Sequence, residues 1–346
     1  MIEAYVPTGA RMRAVRASPD AIPAEAVWID LLDPRPDEIA AVEQLCGIDV
    51  PTREEMVEIE VSSRLYSQDD ADFMTASVVF GLDSGKPSFA PVTFMLAGRR
   101  LITLRYSEPK SFAIYAAKLC RETPRHAGAI QPGGAEKPAA GRSDRPPSAE
   151  TVLIGLLETV IDRVADLLEM ISAALDSIGE DVFSSSARKK PAATRNFRSL
   201  LQRVGAAGDL TSRARESLAT IDRLLPFLQL ALDRRKSGAK DARPRVKAMG
   251  RDVQSLNDFL SFLSNKTTFL LDTTVGMISI EQNAIIKIFS VVAVAFLPPT
   301  LIASIYGMNF RFMPELGWTF GYPLALALMI MSAIVPMLFF RYKDWL

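Results

Sequence analysis

The chain has 346 residues, 49% of them apolar, and 40 acidic side chains balance 40 basic ones. That is longer than one compact domain usually needs, and the charge balance itself is silent on nucleic acid. No basic low-complexity tail, RNA-binding aromatic signature or zinc-finger spacing is present, so no nucleic-acid partner is expected.

The cysteines, Cys46 and Cys120, lie far apart and form no disulfide framework. Both fall in segments read as helical, where buried thiols are expected. One histidine, His126, and two scattered cysteines cannot build a soft-ligand zinc site. Any metal this chain handles must be met mainly by oxygen.

The opening stretch, "MIEAYVPTGARMRAV", has no apolar core after its charges and does not read as a signal peptide. Residues 1–122 alternate short strands and helices. "AVWIDLLDP", "FMTASVVFGL", "PVTFMLAG" and "RLITLRYS" are β-branched or aromatic runs bounded by Gly, Pro or Asp. "PDEIAAVEQLCG" begins with Pro and acids and ends at Gly47, as a helix should, and "SEPKSFAIYAAKLCRE" is a second helix. The expectation is a small cytosolic α/β domain. It carries no phosphate loop and no nucleophile elbow, so the reading is not an enzyme. Residues 123–147 are rich in Pro, Gly and Ala and read as a flexible or disordered segment.

From Ser148 the pattern is helical. Leu153, Leu157, Val160, Val164, Leu167, Ile171, Leu175 and Ile178 follow a three-four spacing. Between Ala149 and Phe183 eight acids face one Arg; from Arg188 to Arg251 seventeen Lys/Arg face five acids. Residues 148–243 therefore read as a long helical hairpin. Its acidic arm either attracts the basic arm or attracts cations.

Residues 244–306 form a stalk helix running into a first span at about 285–305. Val246, Met249, Val253, Leu256, Leu260, Leu263, Thr267, Leu270, Thr274 and Met277 make a heptad stripe. Phe259, Phe262 and Phe269 lie off it and suggest a second buried face. The first span carries one charge, Lys287, where a long side chain can snorkel. Residues 318–340 form a second, uncharged span, and each is long enough for a hydrocarbon core of roughly 30 Å. Arg311 is alone in the 307–317 loop, whereas Arg341 and Lys343 lie in the 341–346 tail. By the Lys/Arg rule the loop is outside and both termini are cytosolic. The expected location is the cell inner (plasma) membrane.

Two spans cannot enclose a pore, so transport requires an oligomer. Asn283, Ile286, Phe289, Ala293, Leu297 and Thr300 share one helical face and are candidate pore-lining residues. Ordinary helix packing would give the same spacing. In "IYGMNFRFMPELGW", Gly307 permits close backbone approach or positive φ, and Asn309 offers a carbonyl acceptor without charge. A ring of such carbonyls could grip hydrated Mg²⁺, which surrenders its waters reluctantly. A plain helix end would use the same residues.

"YGMNF", after "FLPPTLIASI" and before "MPEL" and a second span ending "FFRYKDWL", resembles the CorA family of magnesium channels. "IEQNAIIKIFSV" resembles its bacterial members. The resemblance implies a funnel-shaped homopentamer in which an α/β cytosolic domain and long helical stalk precede two C-terminal transmembrane helices. It implies inward Mg²⁺ flux driven by membrane potential, often with Co²⁺ or Ni²⁺. Gly307, Met308 and Asn309 would form the selectivity filter, with Asn309 meeting the hydrated ion. Asn283 would lie at the inner mouth, with Ile286, Phe289 and Leu297 as constrictions. Lys287, Arg341 and Lys343 would make a basic collar. Cytosolic Mg²⁺ would be a regulatory ligand as well as cargo, with Asp252 the candidate regulatory residue. The sequence departs from the family at Arg311, often acidic there, and at Ile286, where Met is expected. Competing readings are a Zn²⁺/Co²⁺/Ni²⁺ transporter of the same superfamily and a non-conducting membrane-anchored scaffold.

Overall fold

A computed structural model describes residues 1–9, 11–58, 60–121, 146–187, 197–235, 242–308, 313 and 317–343, without the side chains of residues 61 and 184–187. The chain divides into two compact units, Met1–Lys190 with Gln202–Leu270, and Pro191–Leu201 with Leu271–Leu346. The segment read as flexible at 123–147 lies almost wholly outside the described residues.

The first unit opens with β1 (Ile2–Thr8), β2 (Arg11–Ala17), β3 (Trp28–Leu32), α1 (Pro36–Cys46), α2 (Arg53–Val57) and α3 (Val61–Arg64). Then come β4 (Leu65–Gln68), β5 (Ala71–Phe80), β6 (Ser88–Ala97), β7 (Arg100–Arg105) and α4 (Lys110–Cys120). The four strands expected from sequence are β3, β5, β6 and β7, and the two expected helices are α1 and α4. Three strands were not anticipated: β1, β2 and β4. All seven form one sheet in the order β2-β1-β3-β7-β6-β5-β4. Only β3 and β7 pair in parallel; the other neighbours are antiparallel.

Trp28, Ile29, Asp30 and Leu31 are all buried on β3. A strand covered on both faces reads as a continuous run rather than an alternation. One face packs Ile2, Ile29, Leu31, Met95 and Ile102 into a core with Val42 of α1. On the other, Trp28 meets Phe112 and Tyr115 of α4 with ring centroids 6.2 Å apart.

Cys46 and Cys120 are half-buried rather than fully enclosed. Each is the last residue of its helix, where the chain turns towards solvent. The sharp end of α1 is real: Gly47 adopts φ 67°, a left-handed cap that glycine reaches without strain.

Two long helices follow, α5 (Ala149–Ala187) and α6 (Phe197–Arg234), and then α7 (Ala242–Tyr306), an unbroken helix of 65 residues. Every residue of the acidic helix's apolar stripe, from Leu153 to Ile178, is buried. So are Val246, Met249, Val253, Leu260, Leu263 and Leu270 of the α7 stripe. The acidic helix finds its cations within the chain. Glu158 takes both arms of Arg245 at 2.8 and 2.7 Å, Asp176 takes Lys266 at 2.6 Å, and Asp181 takes Arg203. Arg203 lies on α6, whereas Arg245 and Lys266 lie on α7, so two of these three pairs join the acidic helix to the stalk rather than to the other arm of the hairpin. Phe262 and Phe269, expected on a second buried face, are 54% and 57% exposed in the single chain. Phe259 is half-buried and stacks on Phe262.

The sheet and α6 are joined at two places. β4 covers β5 only along Ala71–Met74. Beyond it, Ser77 N–H donates to Thr220 Oγ1 at 3.0 Å and its carbonyl accepts from Ser217 Oγ at 2.6 Å. Helix hydroxyls therefore satisfy a strand edge that would otherwise be open. At the end of α6, Asp72 accepts from Arg234 at 2.8 Å and from Arg235 at 3.0 Å. Arg235 also donates to the carbonyls of Gly98 and Leu96 and to that of Asp70, so one guanidinium ties the β6–β7 and β4–β5 turns together.

Gly155 shows how tightly α5 meets α4. A Cβ there would lie 2.4 Å from the Tyr115 hydroxyl and 2.5 Å from its ring. Gly155→Ala is therefore expected to destabilise the first unit by about 1–3 kcal/mol through overpacking, despite alanine's better helix propensity. Chemical denaturation checks this, and a neutral or stabilising result would mean that the two helices separate at little cost.

Candidate functional site: the apolar helices and the carboxylates near Asp252

The second unit holds the end of α7, from Leu271, and α8 (Gly321–Tyr342). Both helices contain windows long and apolar enough to cross a membrane, with mean hydropathy 2.2 and 2.3. Those windows are 0% and 6% buried, so these are not core helices of a soluble domain. The α7 helix stays continuous through Pro298 and Pro299.

Asn283, Ile286, Phe289, Ala293, Leu297 and Thr300 are all exposed. Ile286, Phe289 and Leu297 are 62%, 70% and 66% exposed, much like Ile288 and Phe296 elsewhere on the helix. The less exposed residues form a different stripe: Val291, Val294, Ala295, Pro298 and Ile302. The α8 helix has its own such stripe at Gly321, Ala325, Met329, Ala333, Pro336 and Phe340. Thr300 turns its hydroxyl back onto the carbonyl of Phe296 at 2.7 Å, leaving its lone pairs free to accept.

The α7 helix ends at Tyr306. Gly307 N–H bonds the carbonyl of Ala303 at 3.0 Å, and Met308 N–H that of Ile305 at 3.3 Å. Gly307 is not among the described glycines with positive φ. Its small size matters for another reason: a Cβ would sit 3.1 Å from the Ala303 carbonyl oxygen. Met308 is 47% exposed. Asn309, Arg311 and Glu315 lie outside the described residues. Lys287 stands exposed near the start of the apolar stretch, and Arg341 and Lys343 are exposed at the end of α8.

Asp252 lies on α7 in the first unit and is exposed. Its charge is one of those that act on Asp162 of α5, a coupling not read from sequence. Partial burial pushes the Asp162 carboxyl above its ordinary range. Repulsion from Asp166, Glu158 and Asp252 adds to this, against the opposing pull of Lys118. Among the described residues no group of three His, Cys, Asp or Glu is placed to hold a metal ion.

The sign of this shift is testable. A carboxylate with a raised folded pKa favours folding below its unfolded pKa and loses that contribution as pH rises through the folded value. Asp162→Asn is therefore expected to stabilise the protein at neutral pH, with the gain vanishing below the ordinary value of 3.8. Denaturation at several pH values checks this; a gain that persisted unchanged in acid would contradict the electrostatic origin.

An α/β domain, the long helices α5 and α6, and two further helices, α7 and α8, that carry exposed apolar windows of spanning length fit an α-helical membrane protein. Residues 23–342 match the model of the family described as CorA-like Mg²⁺ transporter protein. The chain belongs to that family. It is 34% identical over 321 residues to the magnesium transport protein CorA of Escherichia coli (strain K12), covering 93% of this chain and 92% of the relative. Identity to the magnesium transport protein CorA of Sodalis glossinidius is 32% over 346 residues, the full length of both. The complete structure of the CorA magnesium transporter from Methanocaldococcus jannaschii superposes with a TM-score of 0.72 at 18% identity, over 100% of this chain and 99% of that one.

Proposed function

We propose that this chain is one subunit of a homopentameric, funnel-shaped Mg²⁺ channel of the inner membrane, with both termini cytosolic. Flux is inward, driven by the membrane potential, with passage of Co²⁺ and Ni²⁺ as well. The observation that carries the reading is the family match running through both apolar helices and the turn after Tyr306.

The exposed apolar surface supports assembly. Phe262, Phe269 and Val275 are left uncovered on α7 before the span begins, and an uncovered apolar face of this kind marks an interaction surface. A second copy of the chain is the natural occupant. In that assembly the face from Asn283 to Thr300 lines the pore, and its apolar middle gates by dewetting. Gly307, Met308 and Asn309 form the outer filter. Lys287, Arg341 and Lys343 come to the same membrane surface because the spans are joined by a short loop, and they form the inner collar.

Asp252 is the regulatory residue in this reading. It has no ion-pair partner among the described residues, and its charge adds to those of Asp166 and Glu158 in raising the Asp162 carboxyl. A cytosolic Mg²⁺ ion bound there, with ligands from a neighbouring subunit, would relieve the repulsion and hold the channel closed. Asp252→Ala is expected to raise the internal Mg²⁺ needed for closure several-fold. Unchanged inhibition would remove Asp252 from this role.

The function itself is tested by flux into proteoliposomes holding a trapped Mg²⁺-sensitive dye, with Co²⁺, Ni²⁺ and Zn²⁺ in parallel. Mg²⁺ entry is the expected result. Entry of Zn²⁺ without Mg²⁺ would overturn the assignment in favour of a soft-metal transporter.

A further inference from the structure

We propose that the cavity at the carboxyl ends of β3 and β7 binds a small organic polycation, a diamine or polyamine with two or more ammonium groups. The proposal is independent of the transport reading. The cavity measures about 570 Å³, the size of a small-molecule pocket, and all its lining residues belong to the first unit. Asp30 and Leu32 of β3, Arg105 of β7 and the first turn of α4 form its walls. The crevice beyond the carboxyl ends of parallel strands is where open α/β sheets take their ligands.

Charge decides the ligand class. Arg105 is occupied by Asp30 at 2.7 Å and by the carbonyl of Ser107 at 2.9 Å. Lys110 is occupied by Asp83 at 3.1 Å, and Arg163 holds the same carboxylate at 3.1 Å. The two remaining charged walls are Glu3 on β1 and Glu108 at the turn into α4. Neither has an ion pair among the described residues. The Tyr5 hydroxyl donates to Glu3 at 3.1 Å, which fixes one carboxylate in place. Burial, reinforced by the charges of Glu3 and Asp30, pushes the Tyr5 pKa far up, so this donor stays protonated.

An anion entering this cavity would meet the carboxylates of Glu3 and Glu108, while both lining cations, Arg105 and Lys110, are already paired. A dehydrated metal ion would need converging ligands, and the described residues provide no group of three. Two carboxylates on separate segments are matched instead by ammonium groups carried on a flexible chain. Such a ligand also displaces water from a space far larger than one ion.

The test is calorimetric titration of putrescine and spermidine into the purified full-length protein, at low and moderate salt. Saturable binding of one ligand per chain is expected, weakened by salt and weakened tenfold or more by Glu3→Gln and by Glu108→Gln. No saturable heat in the unmodified protein would overturn the proposal. So would full affinity in the doubly substituted chain, shown to be folded by circular dichroism, since binding would then lie elsewhere. Titration of Mg²⁺ separates the remaining alternative. Displacement of spermidine by Mg²⁺, with Mg²⁺ binding lost in the same variants, would make this a hydrated-divalent site and sink the organic-cation assignment.

Discussion

Replacing Asp30 with alanine is expected to destabilise the first unit by about 3–5 kcal/mol, the usual cost of breaking a buried ion pair from one side. Asp30 and Arg105 are 2% and 9% exposed. The carboxylate takes three bonds from the guanidinium, at 3.1, 3.1 and 2.7 Å. Thr103 adds a fourth at 2.6 Å and in turn accepts the Trp28 indole N–H at 3.0 Å. Losing the carboxylate leaves a buried guanidinium without its counterion, leaning on the Phe112 ring 4.7 Å away. It also leaves the Thr103 hydroxyl without its acceptor. Trp28 stacks on Tyr5 at 4.1 Å, so its near-ultraviolet dichroism reports this neighbourhood directly. Denaturation of Asp30→Ala with that signal should show the full loss, and Asp30→Asn a smaller one. A loss below 1 kcal/mol would mean that water reaches Arg105 and replaces its partner.

The second large effect concerns conduction. Asn309→Ala is expected to abolish Mg²⁺ flux while leaving the oligomer and its soluble part intact. The reasoning is chemical. Mg²⁺ holds its inner water shell tightly, so a filter must accept hydrogen bonds from that shell rather than strip it. An amide carbonyl does this without a fixed charge, and a methyl group cannot. Wild-type flux in Asn309→Ala would remove the filter from this turn. Loss of flux with loss of the oligomer would instead show a role in assembly.

Much of the fold could be read from periodicity. Strands β3, β5, β6 and β7 stood out because β-branched and aromatic runs ended at turn residues. The stripes of α5 and α7 stood out because three-four spacing persisted for many turns. Strand β2, "RMRAVRA", is an edge strand. Its arginines protect an open edge and erase the apolar run that would mark it. Strand β4 is only four residues long, too short for alternation to register.

The charge segregation of the long helices was legible, but the specific pairings between distant segments were not. Asp30 and Arg105 are 75 residues apart, and nothing local announces that they pair. The cavity behind them is assembled from β1, β3, β7, α4 and the turn after β5, so no single motif carries it. The coupling of Asp252 to Asp162 is of the same kind: each lies on its own helix, and only packing lets one charge act on the other. The candidate pore face is a different case. Its spacing was plain, yet spacing is a property of one helix, and a pore is a property of several. Ile286 and Ile288 are about equally exposed in one chain; only in the proposed assembly would their roles diverge.

Mg²⁺ entry into proteoliposomes, followed as a function of an imposed, inside-negative potential, decides whether the chain conducts. Channel conduction through a filter at Asn309 predicts entry that rises steeply with the potential, needs no other energy source and disappears in Asn309→Ala. Entry that ignored the potential, or no entry from an intact oligomer at low internal Mg²⁺, would contradict it.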